Sequence, residues 1–332
     1  MTVPTAFASP DLEGVVLRHV AVPDDLAQMN AIANASRVAD GESWLTSDEQ
    51  FMNFYQHLSN CDLETDVFVA ELDGRIVGYG RAAWHDDHEG TRVYEPVSFA
   101  HPDAPAELRG AIHDAMESRC RAIAAVHNHD GPRIFESEAI DSAERRTSIL
   151  LSRGYEPVRW FYSMVRPTLD DLPNAPLPPG LEIREVRPEH FRAIFDAETE
   201  AFRDHWGMGV PTDTDYERFV ADAVAGEPVL WRVAWAGNEV AGMVRGFVNA
   251  EENARFDRKR GYVEHISVRR PWRRLGLARA LIAATIPLLR ARGMTEAALG
   301  VDTQNPSGAL QLYESCGFVV EKVGASYRKP LD

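Results

Sequence analysis

Hydrophobic and polar positions change period along this chain in a recurring order. Leu181-Glu-Ile-Arg-Glu-Val186 alternates, as a half-buried strand does. Pro188 to Phe202 and Asp213 to Ala225 carry apolar residues at three- and four-residue spacing, which predicts helices. Val229 to Trp235 and Glu239 to Phe247 read as strands joined by a hairpin turn at Gly237-Asn238. Gly261 to Arg269 predicts a further strand, Leu275 to Arg292 a helix stopped by Gly293, and Glu296 to Val301 another strand. Pro306 to Ser315 predicts a helix ended by Gly317, and Phe318 to Tyr327 a last strand.

The earlier part of the chain runs through the same order. Val15 to Val20 opens it, and Val67 to Glu71 and Arg75 to Arg81 flank a turn at Asp73-Gly74. Val93 to Phe99 reads as a strand, Ala106 to Val126 as a helix, and Ser142 to Ser152 as a helical stretch before Gly154. Tyr94-Glu-Pro-Val-Ser-Phe-Ala-His-Pro102 lies over Val263-Glu-His-Ile-Ser-Val-Arg-Arg-Pro271 without a gap, at an offset of 169. Gly154-Tyr155 lies over Gly317-Phe318 at an offset of 163. An internal duplication accounts for both, and two copies suit paired domains rather than a solenoid.

Between the copies, Pro167 to Gly180 holds five prolines and a glycine, and continues neither a helix nor a central strand. The expected organisation is a flexible N-terminus over 1–13, a domain over 14–166, a stiff linker over 167–180 and a second domain over 181–332. A length of 332 residues agrees with two domains. The 45% hydrophobic and 26% charged shares are those of a soluble globular protein, and no apolar run is long enough to predict a membrane span. Met1 to Gly14 has neither a basic nor an apolar segment of the kind a secretory leader needs. Cys61, Cys120 and Cys316 are far apart, which argues against a disulfide framework or structural zinc and suits a reducing cytoplasm. A formal charge of −16 disfavours nucleic acid and anionic membranes as partners, and mildly favours a cationic partner such as an amine.

One segment carries the clearest chemistry. In Val268-Arg-Arg-Pro-Trp-Arg273-Arg274-Leu275-Gly276-Leu277-Ala278-Arg279 a strand ends, a basic turn follows, and a helix begins at small residues. Unsatisfied amides at a helix start, with the positive end of the dipole behind them, form an anion site suited to a pyrophosphate. Gly276 and Ala278 allow close approach to the backbone. Arg273, Arg274 and Arg279 add positive charge to an otherwise acidic chain.

This segment resembles the acetyl-CoA loop of the GNAT superfamily of acyl-CoA N-acyltransferases, (Gln/Arg)-x-x-Gly-x-(Gly/Ala), written here Arg273-x-x-Gly276-x-Ala278. Asn305-x-x-x-Ala309-x-x-Leu312-Tyr313-x-x-x-Gly317-Phe318 resembles a second motif of that family, in the right order and at the right distance. The resemblance spans the second half of the chain, and the paired layout is similar to that of tandem-domain members. It implies an α/β fold of the α+β mixed-sheet kind: two GNAT-like domains, each a mostly antiparallel mixed sheet flanked by helices. It also implies acetyl-CoA as co-substrate, no metal, and acetyl transfer to a primary amine of a small molecule or peptide.

By the same resemblance, the strand before the loop pairs its backbone with the pantetheine arm as if with another strand. Ile266, Ser267 and Val268, with residues 273–279 and Asn305, then form the cofactor set. Strict alternation puts Tyr262, Glu264, Ile266 and Val268 on one face. Glu264 then either removes the amine proton or pairs with a cation on a neighbouring strand. Tyr313 protonates the departing thiolate, or serves as a core aromatic. Asn305 is read as a helix N-cap. A non-catalytic acyl-CoA sensor on the same fold remains the alternative.

The first copy lacks these features. Ala104, Glu107 and Arg109 stand where Arg273, Gly276 and Ala278 stand in the second, and Ser142 and Leu150 replace Asn305 and Tyr313. Glu95 is kept opposite Glu264, so a catalytically silent domain is expected. His85-Asp-Asp-His88-Glu89 and His127-Asn-His129-Asp130 have the residue types of metal ligands but read as solvated loops. Ala201-Phe-Arg-Asp-His-Trp-Gly207 falls where the fold overhangs an acceptor site, as does Trp44 in the first copy; each orients an amine or only packs.

Overall fold

The computed structural model describes residues 12–172, 174–305 and 307–331. The expected flexible N-terminus lies outside these residues up to position 11, as do Pro173 of the expected linker and Pro306 of the expected last helix. Two compact units emerge. One runs up to Arg159 and takes up the chain again at Gly324; the other is Trp160–Val323.

In the first unit the strands are β1 (Val15–His19), β2 (Val67–Leu72), β3 (Arg75–Asp86), β4 (Arg92–Ala100) and β5 (Arg133–Ile140). The helices are α1 (Leu26–Asp40), α2 (Asp48–Gln56), the single turn α3 (Leu63–Asp66), α4 (Leu108–Val126) and α5 (Glu144–Ser152). Successive strands pair antiparallel from β1 to β4, and β4 runs parallel to β5. The sheet is buried on both faces. Leu108, Ile112 and Met116 of α4 pack with Phe68, Tyr94 and Phe135 on one side, while Met29 of α1 and Phe51 of α2 meet Val67, Tyr79 and Phe99 on the other.

The second unit repeats this plan with β6 (Glu156–Arg166), β7 (Glu182–Arg184), β8 (Arg232–Ala236), β9 (Glu239–Val248), β10 (Arg260–Val268) and β11 (Glu296–Asp302). Its helices are α6 (Phe191–Phe202), α7 (Asp213–Ala225), α8 (Ala250–Phe256), α9 (Leu277–Ala291) and α10 (Ala309–Ser315). β7 through β10 pair antiparallel, β10 runs parallel to β11, and β11 pairs antiparallel with residues 161–166 of β6. α9 covers one face through Leu277, Leu281, Ile282 and Ile286, and α6 and α7 cover the other through Ile194, Ala197 and Phe219. Each unit is thus a mostly antiparallel mixed sheet flanked by helices, as expected.

The closing strands differ from a simple division of the chain. β12 (Val319–Pro330) pairs residues 324–330 antiparallel with β5, and Ala325 and Tyr327 sit in the core of the first unit. Met164 of β6 sits in the core of the second. Each copy therefore gives its last strand to the other copy's unit, whereas the sequence reading kept 156–166 with the first domain and 324–332 with the second.

Candidate active site

The second unit opens where its two parallel strands part. β10 pairs with β11 only from Arg260 to Tyr262, while β11 continues beside β6 as far as Asp302. The departure begins at a bulge. On the β9 side Glu264 faces Arg245, but the next paired residue is Ser267, opposite Met243. Three residues of β10 span two of β9, and His265 takes a φ of +50°.

The bulge corrects the expected face. Strict alternation put Glu264, Ile266 and Val268 together, but one extra residue reverses the parity beyond it. Ile266 and Val268 pack toward the apolar cluster of α9, and Ser267 inherits the parity of Glu264. The sequence pattern carries no glycine at this point to announce the kink.

Beyond β10, Arg270–Trp272 forms a single 3-10 turn, and the chain reverses through two left-handed residues, Arg274 (φ +62°) and Gly276 (φ +86°). Gly276 then caps α9. Among the described residues, no backbone carbonyl accepts from the amides of 274–279; the first bond of the helix runs from Ala280 N to Gly276 O at 3.1 Å. A β-carbon placed on Gly276 meets nothing within 4 Å, so a side chain there projects into open space. The result is a cradle of bare donors at the end of a 15-residue helix.

These amides border a cleft of about 560 Å³. Ile266, Ser267 and Val268 form one wall, and Arg273, Arg274, Gly276, Leu277, Ala278 and Arg279 a second. Asn305 and Tyr313 close it with α10, and Ala201, Phe202, Asp204 and His205 close it with the end of α6. Leu275, expected in this set, is 58% exposed and does not line the cleft.

The three arginines expected to add positive charge are used differently from one another. Arg273 donates to Val268 O at 3.0 Å, Ala201 O at 3.1 Å and Asp204 Oδ2 at 2.8 Å. It braces the turn against the end of α6. Arg279 donates to Ser315 Oγ at 2.7 Å, while Arg274 makes no ion pair with the described residues. Asp204 bridges Arg270 and Arg273, and these two hydrogen bonds hold its carboxyl down at about 2. The sequence singles out the segment around Asp204, and Arg273 as a cofactor residue, but not the pairing of Asp204 with Arg270 and Arg273, 66 and 69 positions further along.

Glu264 stands at the mouth of the parting strands. Its Oε1 accepts from Gly300 N at 2.8 Å, an amide of β11 just past the last residue paired with β10. No cation pairs with it among the described residues. Loss of water around the carboxyl pushes it up to about 8, against a smaller opposing effect of the Gly300 N–H. Tyr313 is buried on α10, and its phenol is raised first by burial and then by the Glu264 charge, so it holds its proton throughout the neutral range. A carboxylate poised near neutrality and a protonated phenol therefore share one site.

Asn305 is not a helix cap, contrary to expectation. α10 starts at Ala309 behind Gly308, and Asn305 Oδ1 accepts from Ser307 N at 2.9 Å within the preceding loop. Trp206 lies against Phe161, with ring centroids 6.3 Å apart, and His205 meets Phe202 edge-on at 4.4 Å.

The first unit provides a comparison within one chain. β3 and β4 pair in unbroken register from Gly78 and Ala100 to Asp86 and Arg92, with no bulge. Glu107 caps α4 in a right-handed conformation instead of a left-handed glycine. Arg109, at the counterpart of Ala278, is buried against Asp40 at 2.6 Å. Glu95 contacts His85 Nδ1 at 3.1 Å; burial opposes ionisation there, but the histidine prevails and the carboxyl ends below its usual range. The other residues with metal-ligand character also have separate uses: His127 Nδ1 lies 2.9 Å from the Tyr94 hydroxyl, and no three His, Cys, Asp or Glu side chains converge among the described residues.

Comparison with known proteins extends these observations. The Acetyltransferase (GNAT) family model matches residues 191–318, which include β10, the cradle, Glu264 and Tyr313. A mycothiol acetyltransferase of Streptomyces bingchenggensis is 31% identical over 79% of this chain and 80% of its own length. One from Catenulispora acidiphila is 28% identical over 92% and 95%. Among solved structures, a GCN5-related N-acetyltransferase from Sphaerobacter thermophilus superposes with a TM-score of 0.68 at 24% identity, covering 96% of both chains. A tandem GNAT protein from the clavulanic acid biosynthesis pathway superposes with a TM-score of 0.64 at 15% identity, covering 96% of this chain and 100% of its own. With the family motifs, the fold and the relatives in agreement, this chain belongs to the GNAT family of N-acetyltransferases.

Proposed function

We propose that the second unit transfers an acetyl group from acetyl-CoA directly to a primary amine of a small molecule or peptide. The observation that carries this reading is the run of unbonded amides over 274–279 beside the parting strands, in a cleft that Tyr313 also lines, with Glu264 bonded to Gly300 N just past the last pair of β10 and β11. The amides and Arg274 hold the pyrophosphate, and the free edge of β10 over Ile266–Val268 pairs with the pantetheine arm. The thioester then lies near Glu264 and Tyr313.

An ammonium has an ordinary pKa of about 10.4 and no lone pair to offer until it loses a proton. Glu264 takes that proton, directly or through one water. The amine nitrogen bonds to the thioester carbonyl carbon, and the oxyanion is steadied by a strand amide. As the carbonyl re-forms, the C–S bond breaks, and the Tyr313 hydroxyl gives its proton to the departing thiolate. The acylated nitrogen sheds its second proton to solvent, the proton held by Glu264 follows it there, and Tyr313 is reprotonated from solvent, so each turnover releases one proton. The name shared by the relatives supports a small-molecule amine as acceptor.

Replacing Tyr313 with Phe is expected to lower kcat by about 10²-fold or more, while the dissociation constant for acetyl-CoA stays within about twofold. Release of coenzyme A across a panel of amines, with calorimetry of acetyl-CoA binding, measures both. Tight binding with no turnover on any amine would instead identify an acyl-CoA sensor. The same calorimetry is expected to give one acetyl-CoA per chain, because the first unit has Glu107 and the Arg109–Asp40 pair where the cradle would be. Two equivalent sites would contradict a silent first unit.

A further inference from the structure

Glu264 has an arginine directly across the ladder. Arg245 of β9 is its paired residue, and β-carbons so placed lie about 4.5–5.5 Å apart. A guanidinium on that neighbour is the expected partner of a carboxylate, and the pair would stay ionised throughout the working range. The structure shows another arrangement. Arg245 donates to Glu198 of α6 and lies over the rings of Phe219 and Trp231, 4.5 and 4.9 Å from their centroids.

Glu198 is buried on the apolar face of α6, among positions otherwise filled by Ile194, Ala197 and Ala201. Its Oε1 lies 2.9 Å from Nδ1 of His265, the residue at the bulge. The ionisable groups facing Glu264 are therefore Arg245 on β9, Tyr262 and His265 on β10, and Tyr313 on α10, with Glu198 of α6 behind Arg245. On β11 the contact is the Gly300 amide.

We propose that Glu198 is a positioning residue for proton transfer: it holds Arg245 and His265 on the α6 side of β10, denying Glu264 the cation across the ladder and leaving its carboxylate free to accept a proton. The proposal rests on Glu264 being the base. It assigns a task to a buried carboxylate that touches neither substrate. It also explains why a carboxylate is tolerated on the apolar face of a core helix, since removing it strands a buried guanidinium.

The test is Glu198→Gln in the full chain. With its counter-charge gone, Arg245 has Glu264 as the carboxylate across the ladder. The Glu264 carboxyl, followed by ¹³C NMR and identified by its disappearance in Glu264→Gln, is expected to titrate about one to three pH lower than in the wild type. The rising limb of kcat/KM against pH moves with it, and the plateau rate falls because a weaker base accepts the proton. In Glu198→Gln/Arg245→Met both features return to the wild-type position, which a purely structural role for Glu198 would not produce. An unmoved Glu264 resonance in Glu198→Gln, or a lowered one in the double variant, overturns the proposal. If Glu198→Gln does not fold, the double variant decides alone: titration at the wild-type position supports it, and a fall of more than about one pH overturns it. Full turnover by Glu264→Gln would sink the assignment of the base itself, whatever the titrations show.

Discussion

Glu264→Gln is expected to lower kcat by about 10²–10⁴-fold, with acetyl-CoA affinity unchanged. The carboxylate is not part of the cleft lining and, among the described residues, its hydrogen bond comes from Gly300 N, so the cofactor loses no contact, while the amine loses its proton acceptor. The pH profile sharpens the test. Because the carboxyl titrates at about 8, wild-type activity rises with pH through that value, and the variant lacks this limb. The fold responds in the opposite sense. A carboxyl raised above its ordinary 4.5 contributes stability that is fully present below that value and lost as pH climbs through about 8. Thermal melts of the wild type minus those of Glu264→Gln should therefore show a declining contribution over the same window. A variant that retains more than about a tenth of wild-type kcat would remove Glu264 from the mechanism.

Gly276→Asp is expected to raise the KM for acetyl-CoA by about 10²-fold or more, with a much smaller effect on kcat at saturation. The new carboxylate projects into the opening above residues 274–279, where it competes for the amides and repels the phosphates. Losing two hydrogen bonds to a charged group, at roughly 1.5–3 kcal/mol each, is sufficient for an effect of that size. Gly276→Ala separates this from backbone strain. It adds the left-handed penalty of about 1–2 kcal/mol and lowers the melting temperature, but brings no charge and should alter KM far less. Equal KM values for the Asp and Ala variants would remove the cradle as the phosphate site. The first unit carries Glu107 at this position naturally, at the head of a helix that starts without a left-handed residue.

Much of the second unit was legible because its local signals agree. Asp213–Ala225 is a helix with a reciprocal Thr212–Asp215 cap, the Gly237-Asn238 turn joins β8 and β9, and Gly276, expected to leave the backbone open, has nothing within 4 Å of its β-carbon position. What escaped was set by partners distant in sequence. Hydrophobic alternation predicts a last strand over 318–327, but not which sheet receives its end. The bulge at His265 breaks alternation without a glycine, so its parity reads as unbroken. α8 is seven residues long and rests on a cap from Asn249, too short to establish a helical period. The expected elements include neither α1 nor α2 between the first two strands, although Ser47 and Gln50 form a capping box that marks the start of α2. Glu198 did leave a trace: a carboxylate at an apolar-face position of α6, flanked by Ala197 and Ala201, is out of keeping with its helix.

The crossed closing strands give the two copies a shared fate. Cutting the chain at the proline-rich segment would leave the amino-terminal piece without the strand that buries Ala325 and Tyr327, and the carboxy-terminal piece without Met164. Neither fragment would inherit a whole sheet. Because each half supplies part of a strand to the other half's unit, loss of either half would leave the remaining unit incomplete. A copy that lacks the left-handed glycine of the cradle thus still has a task, the strand that it supplies to the other unit.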